Sequence, residues 1–226
     1  MKRNQSGFTL IEIAIVLVII GLLLGGVLKG QELINSAKVK NLAGDFKNIP
    51  VYIYGYQDKF KALPGDDASA NTRLPNGNIC TPSAAGKCTT SNGQIDGKWN
   101  ATGITDESYV FWQHVRLAGL VAGPTSITAT DYLPHNAVNG RIGVTNASLV
   151  ANLPITGLKG SYIICSDGIA GKFAKQLDST LDDGDTTTGS VMVTVAGTAS
   201  AGDAIPTTGA GTIIVDDTTY LVCMGV

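Results

Sequence analysis

Charge is scarce in this sequence. Only 15% of its 226 residues are Asp, Glu, Lys or Arg, and they sum to a net charge of -2. Phosphate binding needs clustered Lys and Arg, so nucleic-acid binding is excluded as the main activity. The chain has 2 histidines, His114 and His135, and both lie far in sequence from the cysteines. No C-x-x-C pair, H-E-x-x-H helix, haem attachment motif, phosphate-binding glycine loop or Ser/His/Asp arrangement can be read from it. That removes the common routes to zinc, haem, nucleotide and acyl-transfer chemistry. His114 sits inside an aromatic segment and reads as a packed or surface histidine, not as a base. The expectation is that the chain is not an enzyme.

Small residues are abundant instead. There are 28 glycines, and Ser, Thr, Asn and Ala crowd the second half. This favours a loop-rich β domain, while recurring short runs of Val, Ile, Leu and Tyr exclude disorder. The length suits one membrane-attached domain and would stretch to two small ones. All 4 cysteines, Cys80, Cys88, Cys165 and Cys223, follow the one long apolar run. An even number in a part that would leave the cytoplasm predicts two disulfides in an oxidising compartment. Three pairings are open. Cys80–Cys88, closing a short loop of small residues, with Cys165–Cys223 joining two strand-like runs, is favoured over the other two and over buried thiols.

The apolar run is Phe8–Leu28, FTLIEIAIVLVIIGLLLGGVL, with Glu12 as its single charge. As a helix rising about 1.5 Å per residue it spans roughly 31 Å, the thickness of a bilayer core. Lys2 and Arg3 precede it and no basic residue recurs until Lys29, which keeps the short end in the cytoplasm and puts the rest outside. A secretory signal peptide has an apolar core of only about 7–15 residues and a small-residue cleavage site; this run is longer and continues into an amphipathic helix. A plain signal anchor would leave Glu12 unexplained, although a central carboxylate costs about 2.5–3.5 kcal/mol on insertion scales. Gly21, Gly25 and Gly26 permit close helix approach or local melting, or are simply small packing residues.

The string SGFTLIEIAIVLVIIG resembles the class III signal of type IV prepilins and type II secretion pseudopilins: a basic leader ending in Gly7, then Phe8, then Glu12 as fifth residue of the mature chain. The resemblance implies cutting between Gly7 and Phe8 by a membrane prepilin peptidase and methylation of the new Phe8 amino group. It implies an inner-membrane, single-pass subunit with a periplasmic head, delivered through an assembly platform into a filament of its own copies or of related pilins. Glu12 would then meet the Phe8 ammonium of a neighbour and set register during assembly. The aromatic content of 6% gives no support for a conductive filament.

Beyond Lys29, residues Val39, Leu42, Phe46, Ile49, Ile53, Tyr56, Phe60 and Leu63 recur at alternating spacings of three and four, an apolar seam on one helical face. Lys38, Lys40, Asp45, Lys47, Asp58, Lys59 and Lys61 read as its solvated side. Pro50 should bend the helix, and Leu63-Pro64-Gly65-Asp66 should end it. A helix is expected from Thr105-Asp106-Glu107 to near Gly119 or Gly123, and another over Ala170–Leu181. Strands are expected at Ile142–Val144, Gly160–Cys165, Ser190–Val195, Thr212–Val215 and Tyr220–Met224. The expected fold is α+β: a pilin fold, one long N-terminal helix on a mostly antiparallel sheet. Its expected parts are a leader (1–7), a membrane or filament-core helix (8–28), an amphipathic continuation (29–62) and a globular head (63–226). The head also resembles a subgroup of prepilin-like proteins sharing an LPGD turn, an FWQH-x-R-x-AGL helix and an LDDG turn, here Leu63–Asp66, Phe111–Leu120 and Leu181–Gly184.

No cofactor is expected. The acidic residues Asp178, Asp182, Asp183 and Asp185 have one functional reading, a calcium site, since hard cations want several carboxylates together. The spacing is not that of an EF-hand, and a helix terminus followed by a polar turn is the favoured reading. Three functions follow: a pilus subunit, which would carry disulfides; a pseudopilin of a type II secretion apparatus; or a minor or tip subunit whose head binds a surface, a sugar or DNA.

Overall fold

In the computed structural model, residues 9–82, 87–148, 153–199, 202–209 and 212–226 are described. The chain begins with α1, Leu10–Phe60. It forms two compact units, one ending at Lys38 and one comprising Val39–Val226. Within the second unit the helix runs through Pro50. In the second unit α1 buries Val39, Leu42, Ala43, Phe46, Ile49, Ile53 and Tyr56, the seam that the three-and-four spacing predicts. Asp45 departs from its solvated side: it is half-buried, and burial pushes its carboxyl up to about 6.

After α1 come a short helix, α2, Ala70–Arg73, and α3, Glu107–Leu117. The strands are β1, Ile142–Asn146; β2, Tyr162–Ala170; β3, Val191–Val195; and β4, Thr219–Gly225. Helix α4, Gly171–Leu181, joins β2 to β3. The sheet has four strands in the order β1-β2-β4-β3, every pair antiparallel. Strand β2 outruns the expected strand because a bulge between Ser166 and Ile169 lets pairing resume to Ala170.

Side chains alternate across a strand, and here both faces are buried. Ile164, Val191, Val193, Tyr220 and Val222 share a core with Phe46 and Ile49 of α1, Phe111 of α3 and Phe173 of α4. Ile163, Cys165, Met192, Leu221 and Cys223, on alternate positions, share a second core with Trp99, Ile155 and Leu158 from the loops. This two-sided burial explains why the strands are apolar runs with little alternation of polarity.

Thr212–Val215 is not a strand. Its hydrogen bonds go to irregular partners: Ile214 N–H donates to the Pro206 carbonyl at 3.0 Å and Val215 N–H to the Tyr220 hydroxyl at 2.8 Å. Ile214 is buried and joins the main core.

Candidate functional site

The first unit offers a chemically simple surface. From Leu10 to Leu28 every large apolar side chain is exposed, among them Leu10 at 89% and Leu22 at 74%, and this stretch lies in a helix long and apolar enough to cross a membrane. A Cβ added at Gly21, Gly25 or Gly26 would meet nothing within 4 Å, so these glycines leave shallow gaps along the helix surface.

The charge at the head of this helix is not bare. Thr9 N–H and the Thr9 hydroxyl both donate to Glu12 Oε2 at 2.7 Å, and Glu12 N–H donates back to Thr9 Oγ1 at 3.3 Å. This is a capping box: the helix start satisfies two of its own free N–H groups through a reciprocal Thr/Glu pair. Its signature, Thr-x-x-Glu before an apolar run, stands in the sequence, where it overlaps the stronger processing signal. Lys2, Arg3, Gly7 and Phe8 lie outside the described residues.

In the head, the LPGD turn and the FWQH helix prove to be two halves of one latch. Gly65 N–H donates to His114 Nδ1 at 2.9 Å, and His114 Nε2 lies 2.7 Å from the Asn78 carbonyl. An accepting Nδ1 requires the proton on Nε2, so the ring is neutral; burial holds it below the ordinary histidine range. Gln113 accepts from Asn78 N–H at 2.9 Å and donates to the Thr125 carbonyl. Arg116 donates to the carbonyls of Pro124 and Tyr132. Asp66 and Asp67, at and just after that turn, are buried. Asp67 accepts from the Tyr56 hydroxyl at 2.9 Å and from Arg73 at 3.0 Å. Asp66 accepts from the N–H groups of Asn92 and Gly93.

Glu107 ties the same region to the cysteine loop. Its two oxygens accept from Thr89 N–H and Asp96 N–H, each at 2.8 Å. Burial pushes this carboxyl up to about 8 against the pull of those donors, with Asp66 and Asp96 adding to the rise. The disulfides are Cys80–Cys88 and Cys165–Cys223. The first closes the loop beside Glu107; its sulfurs are joined to each other and offer no thiolate to a metal. The second links directly opposed residues of β2 and β4, with Cα atoms 4.1 Å apart.

Of the four acidic residues in the last turn of α4 and just after it, three come together. Oxygens of Asp178, Asp182 and Asp183 lie within 4.8 Å of one another. Asp185 is not part of this cluster: its Oδ1 accepts from the Thr187 N–H and hydroxyl. Burial, then Asp183, Asp182 and Asp185, push the Asp178 carboxyl up to about 7.

Residues 2–28 match the family described as the prokaryotic N-terminal methylation motif. No curated protein matches the chain. The chain thus carries the type IV prepilin signal on an N-terminal apolar helix, with an α+β head consistent with the pilin fold. The signal is that of structural, pilin-like or pseudopilin subunits, processed by a prepilin peptidase, and the helix fits membrane anchoring.

Proposed function

We propose that this chain is a structural subunit of an extracytoplasmic type IV pilus-like filament. It is made as a prepilin, cut between Gly7 and Phe8, methylated on Phe8 and polymerised through α1. The observation that carries this reading is an apolar helix surface exposed from Leu10 to Leu28, carrying Glu12 as its single charge, in a chain with the prepilin signal over residues 2–28. Such a surface is stable in lipid. Outside lipid it is stable only against other helices of its kind, which is how a filament core forms.

Glu12 provides direction. In hydrocarbon an unpaired charge is heavily penalised, and the ammonium of a mature Phe8 on a neighbouring copy is the cation the motif offers. The head, extracytoplasmic on this reading, carries two disulfides that suit an oxidising compartment, which weighs toward the pilus over the secretion pseudopilus. Gly7→Val tests the processing step by crowding the peptidase site. It should leave the uncut chain in the membrane fraction with no chain in sheared filaments. Normal filaments from an uncut chain would contradict the proposal.

A further inference from the structure

We propose that the cleft where α1 meets α3 and the start of β1 binds an organic cation the size of a lysine side chain, an alkylammonium, with Asp45 as its counter-charge. The cleft has a volume of about 170 Å³ and lies wholly within the second unit. Sites for drug-sized molecules run to about 300–1,000 Å³, so this one suits a single small group. Asp45, Ile49 and Tyr52 line it from one face of α1, at i, i+4 and i+7. Trp112 of α3, Val121 and Ile142 close the other side.

Asp45 carries the argument. Its carboxylate is half-buried, yet among the described residues no group donates a hydrogen bond to it and no Lys, Arg or His pairs with it. Burial raises its carboxyl, and no donor or cation pulls it back. Buried carboxylates are normally met by several donors. The bases nearby are turned to other work. Arg116, whose guanidinium lies 6.0 Å from the Trp112 ring, donates to the carbonyls of Pro124 and Tyr132. His135 also lines the cleft and makes no ion pair with Asp45. Tyr52 stands close to the carboxylate: burial, then the charge of Asp45, pushes its phenol up.

The lining selects the ligand. A hard metal ion wants several oxygen ligands and finds one carboxylate here. A sugar wants an open ring to stack on and many hydrogen-bonding groups, whereas Trp112 is only 4% exposed and most of the wall is aliphatic. An alkylammonium meets both parts of the cleft. Its stem lies along Ile49, Val121 and Ile142, and its charge meets Asp45 beside the electron-rich face of Tyr52. The ammonium can be a free amine or the end of a lysine on another polypeptide, and the chemistry of capture is the same. The site does not depend on the filament reading.

The test is an NMR titration of the full chain in detergent micelles, read at the Trp112 indole N–H. The probes are n-butylammonium chloride and an acetylated, amidated Gly-Lys-Gly peptide, with 1-butanol and methyl glucoside as neutral comparisons. Saturable binding of butylammonium is expected, with a Kd on the order of 1 mM, and the neutral probes should bind at least about tenfold more weakly. A tighter response to the peptide would assign the site to a polypeptide lysine, and a response no tighter would assign it to a free amine. Asp45→Asn keeps the shape and removes a half-buried charge, so it should melt no lower than the wild-type chain while losing at least about tenfold in butylammonium affinity. Asp58→Asn, the same charge change at an exposed position of α1, should leave that affinity unchanged. No saturable shift with either ammonium, equal binding of 1-butanol or methyl glucoside, or full affinity in folded Asp45→Asn would overturn the proposal.

Discussion

Thr9 and Glu12 exchange hydrogen bonds across the first turn of α1, at 2.7 Å from Thr9 N–H to the carboxylate and 3.3 Å in return. The carboxylate is therefore provided for within its own chain before any neighbour arrives. Capping and partner selection are separable, because Gln at this position still caps through its carbonyl oxygen but carries no charge. Thr9→Val removes the hydroxyl and keeps the shape. It should weaken the helix start by about 0.5–2 kcal/mol, seen as faster amide exchange over the first turn in micelles, while the charge on Glu12 and filament assembly persist. Loss of filaments in Thr9→Val with unchanged exchange would separate the hydroxyl from capping and refute this division of roles.

Cys165 and Cys223 staple the two central strands. Replacing both with Ala should cost about 2–5 kcal/mol, as for native disulfides of secreted domains, measured by denaturant unfolding of the full chain in detergent. Peptide mapping without reductant should recover the Cys80–Cys88 and Cys165–Cys223 pairs. Free thiols at all four positions would refute the oxidising compartment.

Gly65 adopts φ +95°, and a Cβ there would stand 2.6 Å from the Glu107 carbonyl oxygen. Gly65→Ala should destabilise the head by at least about 1–3 kcal/mol from backbone strain alone, and should expose His114 to titration by loosening its Gly65 partner. An alanine variant with wild-type stability and an unchanged His114 signal in NMR would show that the latch is not closed in solution.

The Glu107 carboxyl is raised from 4.5 to about 8 by burial. The folded state thus holds a proton that the unfolded chain releases above its ordinary value. The stability tied to this group is fully present below about 4.5 and is lost as pH rises toward about 8. The melting temperature should fall across that window. Glu107→Gln should make the fall shallower without abolishing it, because Asp45 and Asp178 are shifted in the same direction. An unchanged slope in the Gln variant would contradict the assignment.

The helix seam was legible because Leu42, Phe46, Ile49, Ile53 and Tyr56 repeat at a period that only a helix satisfies, and all are buried in the structure. The strands were legible as apolar runs between glycines. Thr212–Val215 looked the same locally, but Ile214 and Val215 bond to Pro206 and Tyr220 and join no ladder. The burial of Asp66, Asp67 and Glu107 was not legible, since their partners stand far along the chain, in Asn92, Tyr56 and Thr89. The isolation of Asp45 was hidden for the converse reason: a sequence shows which charges are near, not which donors fail to reach them.

The central claim is that Glu12 selects and aligns the incoming subunit. The direct measurement is the yield of sheared filaments from cells making Glu12→Gln in place of the wild-type chain, with intact mass of the membrane form measured in parallel. The expected result is normal membrane levels, easier insertion since a costly charge is gone, and a mature chain beginning at methylated Phe8, while filaments fall sharply. Glu12→Asp, one methylene shorter, should be intermediate. Wild-type filament yield and register from Glu12→Gln would contradict the account.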